Sequence, residues 1–211
     1  MLKSSIALAV LLSLAAAGCK SEPTSEKASS LTPAKATETA PAEFKARFTT
    51  SKGPFTVEVH RDWAPQGADR FYNLVKLGFY DGTRFFRVVP GFVVQWGIHG
   101  DGNAVMQHWR GAGLPDDPVR QSNTEGTVTF AMAGKSSRTT QIFVNLADNS
   151  RLDEMGFATF GKVVDGMDVV KSLYSGYGQT PDQASIQSQG NAYLGREYPK
   201  LDYVKSAEIT K

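Results

Sequence analysis

Residues 85–97, FFRVVPGFVVQWG, decide the fold of this 211-residue chain. Large apolar side chains occupy both parities of the first predicted strand, with Phe85 and Val89 on one side and Phe86 and Val88 on the other. A strand that is apolar on both faces is covered on both faces, or one of its faces lines a site. The proline-glycine pair that follows predicts a sharp bend, after which a second apolar strand returns.

Short strands are predicted on both sides of this stretch. Alternating apolar and polar residues, with a turn between them, predict a hairpin of residues 45–50 and 55–60. Further strands are predicted at residues 126–132, 141–146, 157–164 and 203–209, and helices are predicted after Pro65 and at residues 167–173. Because strands and helices do not alternate, the order favours an antiparallel sandwich or barrel over a parallel sheet.

Composition limits the classes of protein to which the chain can belong. Hydrophobic residues make up 41% and charged residues 21%, which is enough for one globular domain with appendages. A net charge of +2 gives no electrostatic argument for binding nucleic acid or an anionic membrane surface. The single cysteine, Cys19, excludes an internal disulfide and a cysteine-rich zinc site. The three histidines have no ligand-like spacing, so we predict no metal and no cofactor.

The N-terminus predicts export and lipidation. Residues 1–18 have the charge and the short apolar run of a signal peptide, and residues 14–19, LAAAGC, resemble a bacterial lipoprotein box. This predicts a lipid on Cys19, followed to residue 43 by a disordered tether, with a folded domain over 44–211. Lys20 is not the aspartate that resembles an inner-membrane retention signal, which favours the outer membrane facing the periplasm. The alternative is an ordinary secretory signal with an unused cysteine.

Arg87 is the first candidate for chemistry. It shares strand parity with two apolar side chains, and Phe92 and Gln95 follow just after the bend. A guanidinium set among aromatic rings, with an amide near enough to hold it, suits the binding of a carbonyl group in a partly dry groove. The pattern therefore predicts a binding site on one face of this hairpin.

Three blocks of sequence carry a resemblance to a known family. FFRVVPGFVVQWG, FAMAG (130–134) and QIFVNLADNSRLD (141–153), continued by FATFGKVVDGMDVV (157–170), resemble the cyclophilin family of peptidyl-prolyl cis-trans isomerases. The resemblance implies a mainly β fold, a closed eight-stranded antiparallel β-barrel capped by two helices. It also implies a rotamase that assists protein folding by rotating the imide bond before proline. Taken with the predicted lipid anchor, this suggests a monomer that acts on exported proteins.

The resemblance also implies roles for individual residues. Arg87 matches the catalytic arginine of the family. The implied substrate-binding residues are Phe92, Val93, Gln95, Ala131, Met132, Gln141, Phe143, Leu152 and Phe157. Phe92, Phe143 and Leu152 match the walls of a proline pocket, and the two glutamines match its polar clamps. Phe157 stands at or near the place of a histidine in the family.

Two features depart from the family pattern. Arg151 replaces a tryptophan whose indole is linked to cyclosporin binding, so we expect weak sensitivity to cyclosporin. Residues 175–200 form an extended loop, longer than loops usually run within a compact domain, which either contacts partners or is only variable. Two other functions stay open from sequence: a non-catalytic chaperone that binds proline-containing peptides on the same fold, and a lipoprotein barrel that binds a small ligand.

Overall fold

The computed structural model describes residues 30–210, which form one antiparallel sheet with helices packed against it. The strands are β1 (Glu43–Thr50), β2 (Pro54–His60), β3 (Arg87–Val89), β4 (Val93–Trp96), β5 (Thr127–Phe130), β6 (Ile142–Asn145), β7 (Thr159–Asp165) and β8 (Val204–Thr210). They lie in the order β3-β4-β6-β5-β7-β2-β1-β8. Every strand predicted from the sequence is present at nearly the predicted place.

An aromatic core fills the concave side of the sheet. In the hairpin β1–β2 alternate residues are buried, and Phe48 and Phe55 stack face to face with ring centroids 5.0 Å apart. Trp96 meets the Phe48 ring edge-on at 5.6 Å and is fully buried. Helix α1 (Pro65–Lys76) adds Phe71, whose ring lies 4.9 Å from that of Phe160 on β7. The helix predicted after Pro65 is thus confirmed, with its apolar side on the sheet.

The start of α1 is held by a buried ion pair. Both carboxylate oxygens of Asp117 accept backbone N–H groups of the first turn, from Gln66 at 3.0 Å and Gly67 at 2.9 Å. Arg138 donates to the same carboxylate at 3.0 Å and also to the carbonyl oxygen of Pro115. The side chains of Asp117 and Arg138 are only 3% and 2% exposed, so each charge depends on the other for compensation.

The sheet is open, which corrects the closed barrel implied by the resemblance. β3 and β8 stand at the two ends of the strand order and do not pair with each other; the segments beside them, residues 82–85 and 202–204, are joined by the isolated bridge of Arg84 to Tyr203 and the backbone hydrogen bonds around it. The reason lies in the hydrogen bonds of β3. It is three residues long, and its Val88 N–H donates to the carbonyl oxygen of Gly178 at 3.0 Å instead of to β8. The eight strands therefore form a half-barrel.

The N-terminal segment, residues 31–42, is docked, although the sequence predicted a disordered tether up to residue 43. Leu31 is fully buried, and its carbonyl oxygen accepts the indole N–H of Trp109 at 2.9 Å. Glu38 and Asn73 of α1 exchange two hydrogen bonds, at 3.0 and 2.7 Å. A segment of this composition cannot form a core alone, whereas in the structure it adds to a core that other elements have built. The predicted signal peptide and Cys19 lie outside the described residues.

Residues 175–200 are also more ordered than the extended loop predicted from the sequence. They contain two short helices, α4 (Gln183–Gln189) and α5 (Asn191–Glu197), whose Ile186 and Leu194 are buried in the main core. Helices α2 (Asn103–Trp109) and α3 (Met167–Lys171) bring the α-helices among residues 30–210 to five, where the resemblance implied two. Among these described residues, no helix has the length and apolarity needed to cross a membrane.

A glycine allows the segment 175–200 to pack closely against the loop that precedes α2. Gly190, at φ +59°, lies so close to the backbone of Gly100 that a side chain at position 190 would collide with its carbonyl. The same approach lets the N–H of Asn191 donate to the Gly100 carbonyl oxygen at 2.7 Å. The segment 175–200 is thereby joined to the loop that leads into α2.

Candidate active site

A groove of about 540 Å³ opens on the outer face of strands β3, β4 and β6. All ten site residues predicted from the sequence line it: Arg87, Phe92, Val93, Gln95, Ala131, Met132, Gln141, Phe143, Leu152 and Phe157. The convergence of residues from separate blocks of the chain is the first structural feature of the site. Their individual roles remain predictions at this point.

Strand register explains why these side chains meet. Arg87 on β3 is paired with Gln95 on β4, and Gln95 is paired with Phe143 on β6. Directly paired residues in antiparallel strands project from the same face, so these three side chains form one row across the sheet. Val93 stands two residues before Gln95 and therefore shares that face. The pattern of alternation noted in the sequence thus sets the groove.

One end of the groove is an apolar pocket that is separate from the main core. Val93, Phe143 and Leu152 are 2%, 4% and 7% exposed and pack together, with Phe92, Ala131 and Phe157 partly buried around them. The rings of Phe143 and Phe157 meet edge-on with centroids 5.9 Å apart. A pocket with aromatic and aliphatic walls and an open mouth fits a small apolar ring.

Arg87 lies at the mouth of this pocket. Its guanidinium carbon is 5.3 Å from the centroid of the Phe92 ring, and its Nη1 donates to Oε1 of Gln95 at 3.1 Å. Partial burial lowers the pKa of Arg87 from its usual value, but an arginine stays protonated at any physiological pH. The site therefore has a fixed cation with N–H donors to spare beside an apolar pocket.

Hydrogen bonds among side-chain amides hold Arg87 in place. Gln95 is 5% exposed, and its Nε2 donates to Oε1 of Gln141 at 2.9 Å. The carbonyl oxygen of Gln141 in turn accepts the backbone N–H of Ala131 at 2.9 Å. Because the Gln95 amide accepts from Arg87 through its oxygen and donates to Gln141 through its nitrogen, the two bonds set which side of that amide faces Arg87. Met132, which follows Ala131 in the sequence, also lines the groove.

The loop that carries Leu152 and Phe157 is fixed by a carboxylate. Asp153 accepts hydrogen bonds from the Ser122 hydroxyl at 2.5 Å and from both the backbone and side-chain nitrogens of Asn123, at 2.9 and 2.7 Å. Burial is the largest single influence on the Asp153 carboxyl and raises its pKa, but the bonds from Ser122 and Asn123 together outweigh burial, so the pKa is lowered.

Several groove residues were missed by the sequence interpretation. Met106 comes from α2 and Arg110 from the position directly after it, and Gln183 and Gln187 come from α4. The spacing of the two glutamines, four residues apart on one helix, was the available signal, but only the docking of α4 shows which way that helix faces. Ser137 also lines the groove, and its hydroxyl donates to the Gly134 carbonyl oxygen and accepts the Ala133 N–H.

Arg151 lies over the pocket wall where the resemblance places a tryptophan. Its guanidinium carbon is 4.9 Å from the centroid of the Phe92 ring, and the residue is exposed. Phe92 thus has two arginines near it, Arg87 and Arg151. The residues that line the groove include two arginines, Arg87 and Arg110, and no aspartate or glutamate.

Comparisons with known proteins agree on a single family. The family model described as cyclophilin type peptidyl-prolyl cis-trans isomerase/CLD matches residues 45–190. Peptidyl-prolyl cis-trans isomerase A of Dickeya dadantii is 37% identical over 137 residues, which are 60% of this chain and 68% of that protein. A peptidyl-prolyl cis-trans isomerase of Acinetobacter baylyi is 36% identical over 130 residues, 59% of this chain and 68% of that protein.

A similar fold is found among solved structures. A cyclophilin type peptidyl-prolyl cis-trans isomerase of Cryptosporidium parvum, solved in the presence of the dipeptide Ala-Pro, matches with a TM-score of 0.60. The match covers 79% of this chain and 99% of that chain, with 19% sequence identity. At that identity the comparison supports the fold, while the sequence relatives support the family.

Proposed function

The chain belongs to the cyclophilin-type peptidyl-prolyl cis-trans isomerase family and is an enzyme of that type, and from this premise we propose that Arg87 is its catalytic residue. The observation that carries the proposal is the position of Arg87, held by Gln95 at the mouth of the pocket formed by Val93, Phe143 and Leu152. The proline ring of the substrate would occupy that pocket.

The proposed mechanism needs no covalent step. Resonance makes the bond before proline partly double, so rotation crosses a barrier of about 18–20 kcal/mol and takes tens to hundreds of seconds unaided. As the bond twists, the proline nitrogen becomes pyramidal and regains its lone pair. A guanidinium N–H of Arg87 would donate to that nitrogen, which is a good acceptor only in the twisted state.

The surroundings of Arg87 suit this task. Gln95 and Phe92 hold the cation in place before the substrate arrives, so little reorganisation is needed as the bond twists. If the interaction contributes about 3–4 kcal/mol to the transition state, it accounts for roughly 10²–10³ in rate. Gln95, Gln141 and the backbone at Met132 would hold the peptide on either side of the proline.

Cis–trans exchange of a proline peptide at equilibrium, followed by NMR, tests the role of Arg87. We expect Arg87→Ala to lower kcat/KM by roughly 10²–10³, and Arg87→Lys to recover only part of it because the ammonium lacks the planar fork. Arg47→Ala removes an exposed arginine of β1 outside the groove and should leave the rate unchanged. Equal rates for wild type and Arg87→Ala would refute the assignment.

We also propose that the enzyme is a bacterial lipoprotein, attached through Cys19 to the outer membrane on its periplasmic side, where exported proteins are its substrates. The sequence at residues 14–19 and the uniqueness of Cys19 support this. Leu31, which is docked, lies twelve Cα-to-Cα steps after Cys19, so a fully extended chain between the lipid and the domain would span at most about 40 Å.

Membrane fractionation of cells tests the anchor. Cys19→Ala should move the protein from the membrane into the soluble fraction of the envelope, and separation of inner from outer membranes on a density gradient should place the wild type in the outer fraction. Arg47→Ala serves as the control and should fractionate like the wild type. Cys19→Ala protein that stays with the membrane would contradict lipid attachment at this residue.

A further inference from the structure

The segment between α3 and β8 approaches the catalytic site through a loop that is firmly held. Four tyrosines pack in a chain of edge-on contacts: Tyr174 with Tyr177 at 5.1 Å, Tyr177 with Tyr198 at 5.1 Å, and Tyr193 with Tyr198 at 5.7 Å. Three of the four, Tyr177, Tyr193 and Tyr198, also pack against the main core. The loop at residues 174–180 is therefore attached to the domain by its aromatic side chains.

Hydrogen bonds complete the attachment. The Tyr198 hydroxyl donates to the Thr180 carbonyl oxygen at 3.2 Å, and the Thr180 hydroxyl donates to the Tyr177 carbonyl oxygen at 2.8 Å. On the other side of the loop, the Val88 N–H donates to the Gly178 carbonyl oxygen at 3.0 Å. This last bond fixes residue 178 against β3, directly beside the residue that precedes Val88, which is Arg87.

The residue after Gly178 contacts the catalytic arginine. Nη2 of Arg87 donates to Oε1 of Gln179 at 3.1 Å, while Nη1 donates to Oε1 of Gln95 at 3.1 Å. Each terminal nitrogen of the guanidinium is thus held by one amide oxygen. Only two of the five N–H donors of an arginine are used in this way, so three are left for a substrate.

We propose that Gln179 is a positioning residue for Arg87, so that the segment 175–200 completes the active site. The inference rests on the proposed catalytic role of Arg87. Gln95 holds one terminal nitrogen and the Phe92 ring lies against the guanidinium, and the second acceptor, on the other terminal nitrogen, restricts rotation about the Gln95 contact further. Gln179 acts only through Arg87, so its loss should lower kcat far more than it raises KM.

The size of the effect follows from the bond. Gln179 is exposed and its partner is charged, so we place the contribution in the range of a hydrogen bond on the protein surface, which corresponds to about a three- to tenfold change in rate. Gln179→Ala should lower kcat by that factor and leave KM within about twofold. Gln179→Glu keeps an acceptor at the same distance along the side chain and should restore most of kcat, whereas Gln179→Leu should not.

The experiment is a double-mutant cycle on the full chain, with rates measured by NMR exchange on a proline peptide. Gln179→Ala is made in the wild type and in Arg87→Ala, and Gln189→Ala, an exposed glutamine on α4, is the control that should match the wild type. We expect Gln179→Ala to lower kcat only while Arg87 is present. An equal loss in both backgrounds would refute the proposal, because the residue would then act on the fold and not through Arg87.

Two further outcomes separate this inference from the function on which it rests. If Arg87→Ala lowers kcat/KM but Gln179→Ala has the same kcat as the wild type, the positioning role is refuted and the catalytic role of Arg87 stands. If Arg87→Ala itself leaves the rate unchanged, the catalytic assignment fails, and the positioning role fails with it.

Discussion

Replacement of Leu31 by alanine will destabilise the enzyme, although the residue lies thirteen positions before the first predicted boundary of the folded domain at residue 44. The Leu31 side chain is fully buried, and its carbonyl oxygen accepts the Trp109 indole N–H at 2.9 Å. Truncation of a buried leucine removes apolar contact and leaves a cavity, which together cost about 2–5 kcal/mol.

The structure places the effect at the lower end of that range. The N-terminal segment is also held by the two bonds between Glu38 and Asn73 and by the Ala40 N–H, which donates to Asp69 at 2.8 Å. A segment attached at several points can release Leu31 while keeping the others, so we expect a loss of about 2–3 kcal/mol. In a domain of this size that lowers Tm by about 5–10 °C.

Thermal unfolding followed by circular dichroism measures this loss directly. Met155→Ala is the matched control, because Met155 is a large apolar residue that is 61% exposed, and its truncation should change Tm by no more than about 1–2 °C. If Leu31→Ala and Met155→Ala give the same Tm, the N-terminal segment contributes nothing to the domain, and the reasoning from burial is refuted.

A change at Leu31 should also reach the groove. Trp109 belongs to α2, and so does Met106, which lines the groove; Arg110 follows directly. The carbonyl oxygen that binds Trp109 belongs to the backbone and is kept in Leu31→Ala, but release of residue 31 from the core would withdraw it and loosen the helix, so we expect KM for a proline peptide to rise while kcat stays close to that of the wild type. An unchanged KM would show that α2 is held in place without the N-terminal segment.

Three further predictions concern charged side chains. Asp117→Ala should cost about 3–5 kcal/mol in urea unfolding because it leaves the buried Arg138 with only the longer, 3.8 Å contact to the more exposed Asp116, and a loss no larger than that of Asp116→Ala would contradict this. Arg151→Trp should increase inhibition by cyclosporin, since the resemblance links an indole at this position to cyclosporin binding; unchanged inhibition would argue against the alignment. The pKa of Asp153 is lowered in the folded state, so its stabilising contribution is present above about pH 5 and is lost as the pH falls toward 3. Urea unfolding should therefore show a steeper loss of stability over this range in the wild type than in Asp153→Asn, and parallel curves would refute the assignment.

The sequence identified ten of the residues that line the groove, but it missed those that come from helices packed beside the strands, such as Met106 and Gln183. Strand alternation is a local property, so the face that Arg87, Val93 and Gln95 share could be predicted from adjacent residues. The register of β3, β4 and β6 then places these side chains on one face with Phe143. The resemblance extended the set to Leu152 and Phe157 in a distant block. All of these line the cavity.

The tertiary structure alone decided three other matters: the open sheet, the docked N-terminal segment and the approach of Gln179 to Arg87. In each case a short polar segment binds to a surface that distant elements have built, as Leu31 does at Trp109 and Gly178 does at Val88. Such docking depends on the shape and hydrogen-bonding groups of the surface, which the composition of the segment does not contain. Alternation along the chain therefore determined which strand residues line the groove, and long-range packing decided what holds them there.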